Sequence, residues 1–173
     1  MLPTKPRVKR EKSATQALSS LMRLCARAER STGDAKRLMA TWGVPDSERA
    51  GVLQRLIDDR FIDDRRYAEA FVREKSNLSG WGEYKIRATL MRKGVAAEII
   101  AEALRQIDNA QNIERLHDKL SKRMRTVKYS SSYDLRNKLI RSGLSLGFSM
   151  DDVLHCVEQL TQNFNFETEC DDF

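Results

Sequence analysis

The sequence is short of the residues that break, staple or metallate a chain. Its 173 residues include three prolines, eight glycines, three cysteines and two histidines. All three prolines stand at or before Pro45, so everything after it lacks the strongest helix breaker. Cys25, Cys156 and Cys170 form no C-x-x-C pair, and an odd, scattered set makes a poor disulfide framework. Reduced thiols are expected, with Cys25 and Cys156 as small hydrophobes inside helical apolar patterns. His117 and His155 have no H-E-x-x-H setting or cysteine at ligand spacing, which removes support for a zinc site or a serine triad. No G-x-x-x-x-G-K-[ST] loop occurs, and Gly80-x-Gly82 lacks the third glycine and the preceding strand of a dinucleotide fold. No catalytic, cofactor-binding or metal-binding residue is therefore assigned, and the chain is read as a non-enzyme.

Long apolar runs are missing as well. No stretch approaches the roughly 20 residues of a membrane span, and Arg23 interrupts the one stretch after the basic N-terminus that imitates a signal peptide. The expectation is a cytoplasmic chain with no membrane contact. Strand-like alternation is nowhere sustained, and there is no Asn-Gly or Asp-Gly hairpin signal.

What remains is helical periodicity. Leu18, Leu21, Met22, Cys25 and Ala28 recur at three and four, Tyr67, Ala70, Phe71 and Glu74 begin a similar stripe, and Leu116, Leu120, Met124 and Val127 make another. Three glycines share a setting: Trp42-Gly43-Val44, Lys93-Gly94-Val95 and Leu146-Gly147-Phe148. Each follows a basic helical run and precedes an amphipathic one, which reads as a helix C-terminal stop in left-handed backbone. Ten residues after each stands Leu53, Leu104 or Val157, and thirteen after stands Leu56, Ile107 or Leu160. The unit is three helices, repeated three times. First helices carry Leu21, Phe71 and Leu120, second helices Met39, Leu90 and Leu139, third helices Leu53, Leu104 and Val157.

Asp34 is a candidate cap for the run from Ala35, Ser132 or Asp134 for the run toward Leu139, and Ser149 with Asp152 fits a capping box. Gly143, four before Gly147, is expected to end or bend the second helix of repeat three. The loop after the first helix should be shortest near Ser31–Gly33 and longest near Ser76–Gly82. The fold class is all-α: an elongated array of three tandem three-helix repeats, with room to curve. Its segments are a basic arm at 1–16, repeats at 17–62, 63–110 and 111–162, and an acidic tail at 163–173.

The stretch Ile57-Asp58-Asp59-Arg60-Phe61-Ile62-Asp63-Asp64-Arg65-Arg66-Tyr67-Ala68-Glu69-Ala70-Phe71-Val72-Arg73-Glu74-Lys75 is followed by Gly80-Trp81-Gly82, Lys85-Ile86, Leu90 and Lys93-Gly94-Val95. This order of acidic pair, aromatics, glycines and basic-glycine resembles the signature of the RecX family, bacterial regulatory proteins that modulate the RecA recombinase. The similarity extends outward through the repeats, roughly from Ala17 to Leu160. It implies a non-catalytic regulator that lodges in the groove of a RecA filament on DNA and suppresses ATP hydrolysis, strand exchange and repressor coprotease activity, with roles in the SOS response, DNA repair and homologous recombination. From the residues themselves the motif is mostly architectural. Asp63 or Asp64 suits the cap of the helix carrying Tyr67 and Phe71. The pairs Asp58-Asp59 and Asp63-Asp64 flank Arg60, Arg65 and Arg66 and read as caps and ion pairs. Trp42 and Trp81 read as core or repeat-interface packing beside helix ends.

Charge is the positive finding. The 31 Lys and Arg exceed the 25 Asp and Glu by six, and the excess is uneven. Residues 1–12 carry five cations against Glu11, and the last seven carry Glu167, Glu169, Asp171 and Asp172, so the two ends cancel. Between Arg115 and Arg141 stand Arg115, Lys119, Lys122, Arg123, Arg125, Lys128, Arg136, Lys138 and Arg141 against Asp118 and Asp134; nine less two gives +7. Repeat two adds Lys85, Arg87, Arg92 and Lys93. These thirteen are the candidate surface for a RecA filament, with direct DNA contact as a further use, by a chain expected to act as a monomer. A stand-alone helical DNA-binding module is the alternative. No aromatic interleaves Arg115–Lys128, which argues against a dedicated single-strand platform.

Overall fold

The computed structural model describes residues 11–162. The basic arm up to residue 10, Cys170 and the acidic tail lie outside the described residues.

Nine helices and no strands occur among the described residues, in three successive triplets. α1 (Ala14–Cys25), α2 (Thr32–Thr41) and α3 (Asp46–Asp58) form the first. α4 (Asp64–Asn77), α5 (Glu83–Arg92) and α6 (Ala97–Leu104) form the second, and α7 (Asn109–Thr126), α8 (Ser132–Leu146) and α9 (Met150–Gln162) the third. Their starts are fixed by short polar side chains that take up free amides. Ser13 and Gln16 make a reciprocal capping box at α1, and Ser31, Asp108 and Ser131 cap α2, α7 and α8. Ser31 and Ser131 displace the expected Asp34 and Ser132 or Asp134, because each carboxylate sits one turn inside its helix, where it meets cations instead. Asp63 does cap α4, accepting from the Arg66 amide at 3.0 Å.

The described residues divide into two compact units, 11–70 with 90–102, and 71–89 with 103–162. In the first, Leu21, Met39, Val52, Leu56 and Ile62 are buried together. In the second, Leu116, Leu120, Leu135, Leu139, Val153 and Val157 form the core of α7, α8 and α9. The second triplet is shared between the two units. Val52 and Leu56 carry the buried face of α3, with Leu53 only partly covered. Ile107 lies beyond the end of the short α6, so the thirteen-residue register fails there. Gly143 neither ends nor shortens α8; the helix continues to Leu146, and the missing side chain admits Val153, whose Cγ2 would stand 2.7 Å from a Cβ. The loops after the first helices are nearly equal, because Thr32 and Gly33 already belong to α2 and α4 continues to Asn77.

Gly43, Gly94 and Gly147 are left-handed as expected, at φ 70, 79 and 89°. Arg60, which ends α3, is the one non-glycine with positive φ among the described residues, at 56°. It costs about 1 kcal/mol relative to glycine, and the turn persists because the Phe61 and Ile62 amides both donate to the Leu56 carbonyl.

The carbonyl just before each stop glycine finds a donor far along the chain or at its start. In the first unit the Ser31 hydroxyl donates to the Lys93 carbonyl at 2.8 Å, and Gly33 lies so close that a Cβ would overlap that carbonyl. In the second unit the Gly82 amide donates to the Leu146 carbonyl at 2.8 Å and the Tyr84 amide to the Gly147 carbonyl at 3.0 Å. A Cβ on Gly82 would overlap the Gly147 carbonyl. Each contact sets the start of one middle helix on the end of the next, so the partial positive charge of one terminus meets the partial negative charge of the other. At Trp42 the Lys12 amide supplies the donor at 2.9 Å.

Gly33→Ala and Gly82→Ala should each lower stability by about 1–3 kcal/mol, because the added methyl meets backbone that cannot swing aside. Gly51→Ala, inside α3 with nothing within 4 Å of the new Cβ, should raise it by about 0.5–1 kcal/mol. Urea unfolding of the three variants measures both signs.

Candidate partner-binding surface

The thirteen basic candidates separate by what they touch. Lys93 is committed inside the first unit: its ammonium lies 3.0 Å from Asp34, which also pairs with Arg37. Burial would raise the Asp34 carboxyl, but hydrogen bonds from Arg37 and Lys93 outweigh it and hold the group below the ordinary aspartate value. Arg92, beside it, is exposed, and its carbonyl accepts from Arg37.

The other eleven belong to the second unit. Lys85 reaches the Ser145 carbonyl at 3.1 Å and lies 4.6 Å from the Trp81 ring centroid. Trp81 also packs edge-on against Phe71 and has Lys75 on it at 5.4 Å, so its indole is half-buried packing flanked by cations. Arg87 pairs with Glu83. Arg115 donates to Asn77 and Gln111, which tie it down without neutralising it. Lys119 lays its methylenes over Gly80. Arg136 pairs with Glu158 at 3.0 Å, and Lys138 with Asp134 at 2.7 Å. The hydrogen bonds from Lys138 and then Ser130 hold the half-buried Asp134 carboxyl below its usual range.

Lys122, Arg123, Arg125, Lys128 and Arg141 are different. All five are exposed, and no carboxylate pairs with them among the described residues. The core stripe of α7, from Asn112 through Leu116 and Leu120, explains why. It fixes the rotation of the helix so that Lys122 and Arg125 point away from the bundle, and the chain leaves α7 at Val127 in extended backbone, which presents Lys128. Arg123 and Arg125 also stand in the last turn of α7, where a cation complements the carbonyl end of the helix.

Tyr129 and Tyr133 follow directly, and Tyr133 is 75% exposed. They lie one and five residues past Lys128, just outside the Arg115–Lys128 run that no aromatic interleaves. Cys156 is fully buried and Cys25 half-buried, and burial is the first cause raising both thiols. No group of three or more metal-ligating side chains comes together among the described residues, and no helix among them is long and apolar enough to cross a membrane.

Residues 63–104 match the family model described as RecX, second three-helix domain. Regulatory protein RecX of Bacillus cytotoxicus is 32% identical over 111 residues, 64% of this chain and 41% of the relative. That of Clostridium botulinum is 36% identical over 108 residues, 61% of this chain and 50% of the relative. Over its second three-helix repeat the chain matches the RecX family model, and over about 110 residues it is similar to regulatory protein RecX. It spans half or less of the length of these two RecX relatives. The crystal structure of RecX from Lactobacillus salivarius covers 86% of this chain and 97% of its own with a TM-score of 0.72 at 22% identity. A second, of regulatory protein RecX, gives 0.77 at 23% identity over 84% of this chain and 73% of its own. These two likenesses show the fold: an all-α RecX architecture of three-helix repeats.

Because the folded state holds Asp34 at a depressed pKa, its pairing contributes stability that is fully present above the unfolded value near 4 and is lost as pH falls through the folded one. Asp34→Asn should cost about 1–2 kcal/mol at pH 7 and progressively less below pH 4. Urea midpoints of both proteins from pH 7 to pH 3 should converge on the acid side.

Proposed function

We propose that this chain is a non-catalytic cytoplasmic regulator that binds RecA nucleoprotein filaments as a monomer and inhibits their recombinase, ATPase and coprotease activities. The observation that carries the reading is the set of five exposed cations without carboxylate partners among the described residues, Lys122, Arg123, Arg125 and Lys128 where α7 leads toward α8 and Arg141 further along α8. The family supplies the partner class. A filament on DNA is a polyanion walled by protein, and a surface with uncompensated cations gains on-rate and affinity there. Lys122, Arg123, Arg125, Lys128 and Arg141 are the residues that act. Lys85, Arg136 and Lys138 hold the surface in place through their internal bonds, and Lys93 does the same for the first unit.

The second reading, a DNA-binding module that needs no RecA, draws on Tyr129 and Tyr133. Exposed rings beside cations suit unpaired bases, each stack being worth about 1–3 kcal/mol. On this reading the protein alone binds single-stranded DNA tightly, and Tyr133→Ala weakens that binding. Each phosphate contact would steepen the salt slope by about 0.7 log unit per log unit of salt.

Added below stoichiometry to the host's RecA on single-stranded DNA, the protein should lower the ATPase rate. No effect at equimolar protein defeats the proposal. Reversing Lys122, Arg123 and Arg125 to Glu should weaken inhibition about tenfold or more while circular dichroism keeps its helical amplitude. Unchanged inhibition would make the corner a solvated face.

A further inference from the structure

In the second unit a cavity of about 430 Å³ opens where α5, α7 and α9 begin. Asn112 of α7 forms part of its wall and is 5% exposed, and its carboxamide oxygen has no hydrogen-bond partner within the protein. An acceptor shut away from water without a donor is costly. A leucine of similar volume would avoid that cost in a buried stripe that continues with Leu116 and Leu120. The terminal torsion of a carboxamide is soft, so a small turn offers the oxygen to a group that enters the cavity.

The charges around the cavity leave one carboxylate over. Glu83 and Arg87 lie one turn apart on α5 and pair with each other. Asp152 accepts from the Ser149 hydroxyl at 2.6 Å, and no cation pairs with it among the described residues. The three helix starts do not favour an anion here, because amides that would hold one are already taken: that of Gln111 by Asp108, that of Asp152 by the Ser149 hydroxyl and that of Tyr84 by the Gly147 carbonyl. An unpartnered acceptor and an uncompensated carboxylate together call for a cation rich in donors. The wall also carries two aromatic residues, Phe148 at 6% exposure and Tyr84 at 64%. A planar guanidinium lies on such rings more readily than an ammonium, which holds its water more tightly.

We propose that this cavity is a binding site for an arginine side chain carried by a partner protein. The guanidinium donates to the Asp152 carboxylate and to the Asn112 oxygen, and the Tyr84 ring covers its face. A nucleic acid does not suit the site, since its phosphates would meet the surplus carboxylate. The site is therefore separate in chemistry from the exposed cations of α7, and it stands whether or not the regulatory reading does.

The probe is N-acetyl-arginine amide, titrated into the full chain and followed by the side-chain amide resonances of Asn112 and the ring resonances of Phe148 and Tyr84. Saturable shifts are expected. N-acetyl-lysine amide, which keeps the charge, and N-acetyl-citrulline amide, which keeps the shape, should each bind about tenfold more weakly or worse. Asp152→Asn can keep the Ser149 contact and should weaken binding of the arginine probe about tenfold, the scale of one charge-assisted contact. Asn112→Leu should lose the shifts of both rings while unfolding at no lower urea concentration than the parent. No saturable shift with the arginine probe leaves water as the occupant and overturns the proposal. So does equal binding of the lysine or the citrulline probe, and so does either variant binding the arginine probe as the parent does.

Discussion

Everything in this fold leans on two places where backbone touches backbone. Gly33 against the Lys93 carbonyl, and Gly82 against the Gly147 carbonyl, bring the first turn of one middle helix onto the last turn of the next. A helix end needs partners for amides or carbonyls that its own ladder cannot supply, and here two ends of opposite polarity supply each other. The cost is that neither glycine position tolerates a Cβ. The gain is a fixed seat for the flanking helices, so that the rotation of α7, and with it the direction of Lys122 and Arg125, follows from packing rather than from charge.

The basic surface is best understood as what remains after such seating. Cations in α5 and α8 are largely consumed by it: Lys85 reaches Ser145, Lys138 reaches both Asp134 and the Lys128 carbonyl, and Arg136 reaches Glu158. These pairs are exposed and individually worth little to stability, yet they settle which charges are left over. Four of the uncompensated cations then stand where α7 gives way to the extended stretch before α8, and Arg141 follows within α8.

The sequence showed the helices, their grouping in threes and the three left-handed stops, because those follow from local periodicity and from the special freedom of glycine. It did not show why Gly33 and Gly82 are glycines, since the reason for each is a carbonyl some sixty residues away. Asp34 looked like a cap for the same reason: its partner Lys93 cannot be found by looking one turn ahead. Charge density marked the right helix but could not sort its members, because Glu158, which occupies Arg136, comes from α9. In the sequence Arg60 is one member of an acidic and basic cluster. Only its φ angle sets it apart, and no residue type announces a left-handed arginine.

The way the first stop is finished shows how little chain a helix end needs. The carbonyl of Trp42 accepts from the Lys12 amide at 2.9 Å, and the Lys12 ammonium lies 3.6 Å from the centre of the indole. The short stretch ahead of α1 thereby serves the end of α2 twice, once through its backbone and once through a cation on a ring.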